Sequence, residues 1–226
     1  MRLRIATTLA CAAALAAPAG VLADDTGGAT IDAPPVAPLT PGGLLGGTVR
    51  WSASFGAANA PVRVERYDPV SATWSAVAHT TTDANGAFTA SWPADAIGDT
   101  TVRAVPDGDG ASTSQAPPTA VVTVFKPKRA TWYGPGFYGH RMACGGKLTT
   151  TTLGVANRTL PCGTPVQVFF RGRSITVPVV DRGPFANGAS YDLTAATAQA
   201  LGITETTRIG VIPRPQAATA KRGKRH

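Results

Sequence analysis

The sequence predicts an all-β protein, an immunoglobulin-like β-sandwich followed by a small closed β-barrel with one short helix. Three observations carry this. Short runs that alternate apolar and polar residues recur over positions 49–125 and again over 166–213. Gly, Pro, Asn and Asp clusters punctuate them. Only one stretch, LTAATAQAL at 193–201, has a helical pattern with recognisable ends.

The 226 residues leave room for one or two domains. Residues 1–23 begin with a basic pair, Arg2 and Arg4, and continue as an Ala/Leu-rich run up to Val21-Leu22-Ala23. This reads as a secretory signal peptide with a small-residue cleavage site. The competing reading is a membrane anchor, but Thr, Pro and Gly interrupt the run and no other stretch approaches the ~20 apolar residues of a span. Cys11 lies inside this apolar region and is expected to leave with it. Residues 24–45, rich in Pro, Gly and Ala without periodicity, read as a flexible linker.

Residues 46–126 hold the sandwich strands: VRWSASF (49–55), VRVERY (62–67), WSAVAHTTT (74–82), GAFTASW (86–92), TTVRAVP (100–106) and AVVTVF (120–125). DANG at 83–86 is a hairpin turn between two of them. Trp74, Phe88 and Trp92 are expected in its core rather than on a sugar-stacking surface. Pro127-Lys128-Arg129 marks the boundary to a second domain, residues 130–213. There VQVFF (166–170) and SITVPVV (174–180) flank Arg171-Gly172-Arg173 as a hairpin. Thr194 caps the helix, Gly202 ends it, and RIGVIP (208–213) is the last strand.

The formal charge is +8, with two positive charges in the expected signal peptide and four in the final KRGKRH. The tail, 214–226, reads as a basic disordered end. In an exported protein its partner is an anionic wall polymer or membrane surface rather than nucleic acid. Without the signal peptide two cysteines remain, Cys144 and Cys162. An even pair in an exported chain favours a disulfide; a catalytic thiol is the alternative, with His140 the only histidine near in sequence. The scattered histidines and the absence of CxxC or HxxxH spacing leave no expected metal, and no cofactor motif is visible. Nothing in the sequence suggests an oligomer, so a monomer is expected.

The chemistry centres on VVDRGPFANGASYDL (179–193), which places Asp181 and Asp192 eleven residues apart. Two carboxylates in one short stretch are candidates for acid–base chemistry. Both also suit local structure. Asp192 lies two residues before the helix cap, where the dipole favours a charge, and Arg182 adjoins Asp181.

ATWYGPGFYGHRMACGGKLT (130–149), ANRTLPCGTPVQV (156–168) and VPVVDRGPFANGASYDLTAATAQALG (177–202) together resemble the RlpA-like (rare lipoprotein A) family. The resemblance implies a six-stranded double-psi β-barrel, exported and acting on peptidoglycan or a related wall polysaccharide. Some members are lytic transglycosylases, and expansins and membrane-bound lytic transglycosylase A are similar in fold. It assigns Asp192 as acid/base and Asp181 as its electrostatic partner. Tyr133, Tyr138, Asn157 and Arg182 become candidate substrate contacts, with Phe137 and Phe185 in the same loops. Where the family's lytic members carry a Glu and a His, this chain has Gly146 and Asn157. Three readings follow: a lytic transglycosylase, a non-catalytic glycan-binding or expansin-like module, or an interaction platform for another wall protein.

Overall fold

The computed structural model describes residues 36–54, 57–108, 116–186 and 188–215. The expected signal peptide, linker residues 24–35 and the tail from 216 lie outside the described residues. Twelve strands and one helix follow in order. They are β1 (Gly42–Leu44), β2 (Thr48–Ser54), β3 (Pro61–Asp68), β4 (Thr73–Thr81), β5 (Ala87–Pro93), β6 (Gly98–Pro106) and β7 (Thr119–Tyr133). Then come β8 (Val155–Ala156), β9 (Pro165–Phe170), β10 (Arg173–Asp181), β11 (Tyr191–Thr194), α1 (Ala195–Leu201) and β12 (Thr207–Pro213). Among the described residues no helix is long and apolar enough to cross a membrane.

The first seven strands pair in the order β5-β2-β1-β7-β6-β3-β4. Alternation decides which side chains meet. Val49 and Trp51 of β2 and Phe88, Ala90 and Trp92 of β5 are buried in one core with Val62, Val64, Val102, Val122 and Val124. Trp51 meets Phe88 edge to face at 5.4 Å.

Trp74 departs from expectation. It pairs with Tyr67 across β3 and β4, in a stretch where the register slips between Val64 and Glu65. That puts it on the face of Glu65, one step out of phase with the core-facing Val62 and Val64. It packs on Tyr67 at 5.1 Å, with the Arg103 guanidinium 4.1 Å from its ring centre.

The second half closes into a six-stranded barrel, β7-β11-β8-β10-β9-β12 and back to β7. The pairs β7–β11 and β8–β10 are parallel; the other four are antiparallel. Its interior is filled by branched side chains, among them Val155, Val168, Val177, Val179, Leu193 and Ile209, and helix α1 seals it with Ala198 and Leu201. The helix ends match the sequence reading: Thr194 accepts a hydrogen bond from the Thr197 N–H, and Gly202 is left-handed at φ 72°.

Strand β7 runs unbroken through Pro127-Lys128-Arg129, the expected boundary. Its first part pairs with β6 and its second with β12 and β11. Two further ties cross this junction. Residues 36–45, expected as flexible linker, are held against the barrel and the first sheet. Ala37 is buried in the barrel core and its N–H donates to the Ala200 carbonyl at 2.9 Å. β1 then pairs in parallel with β7 from Gly42 to Leu44. The Pro/Gly composition hid this, because strand pairing here needs close backbone approach rather than side-chain alternation. A Cβ on Gly42 would lie 2.4 Å from the Thr123 carbonyl oxygen. Arg214, assigned to the tail from sequence, bonds both Asp99 carboxylate oxygens at 2.7 Å and the Gln167 side-chain oxygen at 3.0 Å.

Candidate functional site

Asp181 ends β10 and Asp192 sits in β11, and both strands flank β8. Asp181 and Asp192 are each the cross-strand partner of Ala156, and Asp192 is also the partner of Thr131 on β7. Thr131, Asp192, Ala156 and Asp181 therefore form a row across four adjacent strands. Directly paired residues share a sheet face. The neighbouring residues Ala130, Leu193 and Val155 point into the barrel core, as does Val179, from which Asp181 is separated by a register shift in β10. Barrel closure, rather than loop sequence, brings the two aspartates onto one outer face.

Asp192 lines a cleft of about 520 Å³ together with Thr131, Trp132, Tyr133, Phe137 and Arg182. The Thr131 hydroxyl donates to its Oδ1 at 2.8 Å. Burial pushes the Asp192 carboxyl above its ordinary value; Thr131 opposes this and the charge of Asp181 adds to it. The expectation that the helix end keeps Asp192 ionised is therefore reversed. The helix is seven residues long and its first turn is capped by Thr194, while burial is the largest influence on Asp192.

Asp181 is held more tightly. Its Oδ1 accepts from the Ala143 and Arg182 main-chain N–H groups, both at 2.8 Å, and its Oδ2 faces the Tyr133 hydroxyl at 3.4 Å. Tyr133 thus touches the cleft and Asp181 together. Burial first, and then both aspartates, push its hydroxyl well above the ordinary tyrosine range, so it stays a donor.

Arg182 does not pair with Asp181 through its guanidinium. That group donates to the Asn157 carbonyl at 3.2 Å and to Cys162 Sγ at 3.1 Å. Cys144 and Cys162 form the disulfide, with Cα atoms 5.5 Å apart, so the thiol-nucleophile alternative falls away. Asn157, a candidate sugar contact from the sequence, makes its side-chain hydrogen bonds internally. Its Oδ1 accepts from the Leu160 and Thr159 N–H groups at 2.9 and 3.1 Å, and its Nδ2 donates to the Ser190 carbonyl at 3.1 Å. At 8% exposure it braces the loop that carries Cys162. Gly146 adopts φ 73°, which suits glycine.

Exposed aromatics rim the cleft: Phe185 at 80%, Phe137 at 54% and Trp132 at 38%. Tyr138 is exposed outside the cleft and leans over Gly134, where a Cβ would lie 2.7 Å from its hydroxyl. Sequence reasoning missed Thr131 and Trp132. Both stand in the motif ATWYG, and their alternation with the buried Ala130 was hidden by ending the strand at 125.

A family model described as lytic transglycolase matches residues 127–213. Three relatives are named endolytic peptidoglycan transglycosylase RlpA, two of them with the word probable. The Synechocystis sp. protein is 45% identical over 86 residues, 37% of this chain and 27% of its own length. The Aquifex aeolicus protein is 42% identical over 86 residues, 37% of each chain. The Vibrio cholerae protein is 36% identical over 102 residues, 39% of each. The chain thus spans between 27% and 39% of the length of these relatives.

Proposed function

Residues 127–213 belong to the RlpA-like double-psi β-barrel family, and on that premise we propose that this chain binds peptidoglycan glycan strands in the Asp192 cleft and cleaves them as a lytic transglycosylase. The observation that carries this is Asp192 itself: a cleft-lining carboxyl with its ionisation pushed up by burial. A general acid must hold its proton near working pH.

In this reading the protonated Asp192 gives its proton to the oxygen joining N-acetylmuramic acid to N-acetylglucosamine, and the bond from that oxygen to the anomeric carbon breaks. The C6 hydroxyl of the same muramic residue then attacks the anomeric carbon, and the Asp192 carboxylate takes the hydroxyl proton. The product is a 1,6-anhydro end. Attack from within the substrate has an effective molarity of roughly 10⁵ M or more, so one acid/base group is enough. Asp181 is the fixed negative charge beside it, and Tyr133 donates towards that charge. Trp132, Phe137 and Phe185 offer stacking faces to the sugars.

A second reading, glycan binding without cleavage, is favoured by one specific observation. The positions aligned with a Glu and a His in lytic members are a bare Gly146 and an internally bonded Asn157. The test is to incubate the protein with purified, stem-stripped glycan strands and analyse the products by mass spectrometry. Anhydro-ended fragments that disappear with Asp192→Asn support cleavage, and the loss should be at least about 100-fold. Sedimentation on the strands without product supports the binding reading, and neither result leaves only an interaction platform.

The remaining assignments belong to the same proposal. The signal-peptide reading of residues 1–23 puts the cleft in the cell envelope, the basic end of the chain adds attraction to anionic polymer, and the protein works as a monomer. The first β-module, read as immunoglobulin-like, serves as a spacer or docking module.

A further inference from the structure

Both hydrogen bonds to the Asp181 Oδ1 come from residues tied to one of the two cysteines, while its Oδ2 faces Tyr133. The Ala143 N–H that binds its Oδ1 at 2.8 Å belongs to the residue before Cys144. Cys144 donates its own N–H to the Val180 carbonyl, one residue before Asp181, at 3.2 Å. On the other side Gly163, which follows Cys162, donates to the Val179 carbonyl at 2.8 Å. The second Oδ1 bond comes from the Arg182 N–H, and the Arg182 guanidinium reaches Cys162 Sγ at 3.1 Å. Two loops, one on each side of the end of β10, are thus clasped around this carboxylate, and the Cys144–Cys162 bond joins them. Neither loop has regular structure around its cysteine. Cys162 is exposed and Cys144 half-buried, so the bond is open to solvent.

We propose that the Cys144–Cys162 disulfide is a positioning element of the cleft: it fixes the Ala143 N–H and Arg182 on the Asp181 carboxylate, and the chain is fully competent only while the bond is intact. The inference rests on the reading of this cleft as the glycan site. A dithiol acting on the bond takes it to two thiols and leaves as its own cyclic disulfide, so the atoms and electrons balance. The buried barrel core comes mostly from strand and helix side chains, with Cys144 and Leu160 only partly buried against it. Reduction therefore loosens the clasp before the barrel.

The test compares the oxidised protein, the protein treated with dithiothreitol, and Cys144→Ser/Cys162→Ser. Amide hydrogen exchange at Ala143 and Arg182 reads the clasp directly, and exchange at Val168 and Leu193 reads the barrel. The expected result is exchange at Ala143 faster by roughly tenfold or more with the barrel amides unchanged, reversed on reoxidation of the wild type. Turnover of stem-stripped strands should fall with KM unchanged, because the clasp holds Asp181, the partner of the reacting Asp192, and not the aromatic rim. Unchanged exchange at Ala143, or exchange that rises in step with Val168 and Leu193, overturns the inference and leaves an ordinary stabilising cross-link. If the oxidised wild type neither binds nor cleaves strands but Ala143 still responds selectively, the functional reading fails and the positioning of Asp181 stands.

Discussion

At Asp192 two local effects compete, and the structure decides between them. The nearby helix start favours a charge, whereas burial in the cleft and the charge of Asp181 disfavour it. Burial wins. The sign for stability follows. With a folded-state pKa above the unfolded value, the group favours the fold fully only below the unfolded pKa, and this is lost as pH rises through the folded pKa. Asp192→Asn is therefore expected to raise the thermal midpoint near neutral pH, and the gain should vanish below the ordinary carboxylate range, as calorimetry across pH can check. Asn157 gives the opposite expectation. Its Oδ1 serves two main-chain N–H groups and its Nδ2 one carbonyl. Asn157→Ala should cost about 2 kcal/mol in urea unfolding and leave intrinsic stacking at the aromatic rim intact. The identities of both aspartates were legible in the sequence as a pair. The direction of the Asp192 shift was not, because it depends on burial that only barrel closure produces.

Strand parity and backbone approach govern the element scale. Ten of the elements follow from alternation or a helical pattern in the sequence, from β2 through α1 to β12. β1, β8 and β11 escaped because they are two to four residues long and are defined by partners far along the chain. β11 is the instructive case. Tyr191–Thr194 reads as a loop leading to a cap, yet its parallel pairing with Ala130–Tyr133 sets Asp192 beside Thr131. Close approach has a cost if disturbed. Gly210 of β12 lies where a Cβ would come within 2.5 Å of Phe125 Cβ and 2.7 Å of Leu44 Cδ2. Gly210→Ala should destabilise the protein by about 2 kcal/mol through overpacking where β1, β7 and β12 meet.

Over residues 36–215, the sequence suggested a flexible lead-in and two domains meeting at Pro127-Lys128-Arg129. The structure gives one strand shared by both, a packed strap before it and a salt bridge after it. Proline, glycine and basic residues signal flexibility in isolation, but here Ala37 finds a core and Arg214 finds Asp99. Arg214 first, and then Thr123, hold the Asp99 carboxyl below its ordinary value despite burial. That contribution is present above the unfolded pKa and lost as pH falls through the folded one. Because the pair is partly exposed, Arg214→Ala should cost no more than about 1 kcal/mol, less in high salt and nothing in strong acid. The barrel was legible because its motifs are dense; its attachment to the first sheet was not, because contacts between residues 115 apart leave no local pattern.

Cleavage in this cleft depends on one carboxyl keeping its proton above the usual aspartate range because it is buried near a second aspartate. Carbon-detected NMR titration of the Asp192 side chain, in the wild type and in Asp181→Asn, measures this directly. The expected wild-type midpoint lies above that of an ordinary aspartate and moves down when residue 181 loses its charge. An ordinary or lowered midpoint, unmoved by Asp181→Asn, would contradict this expectation.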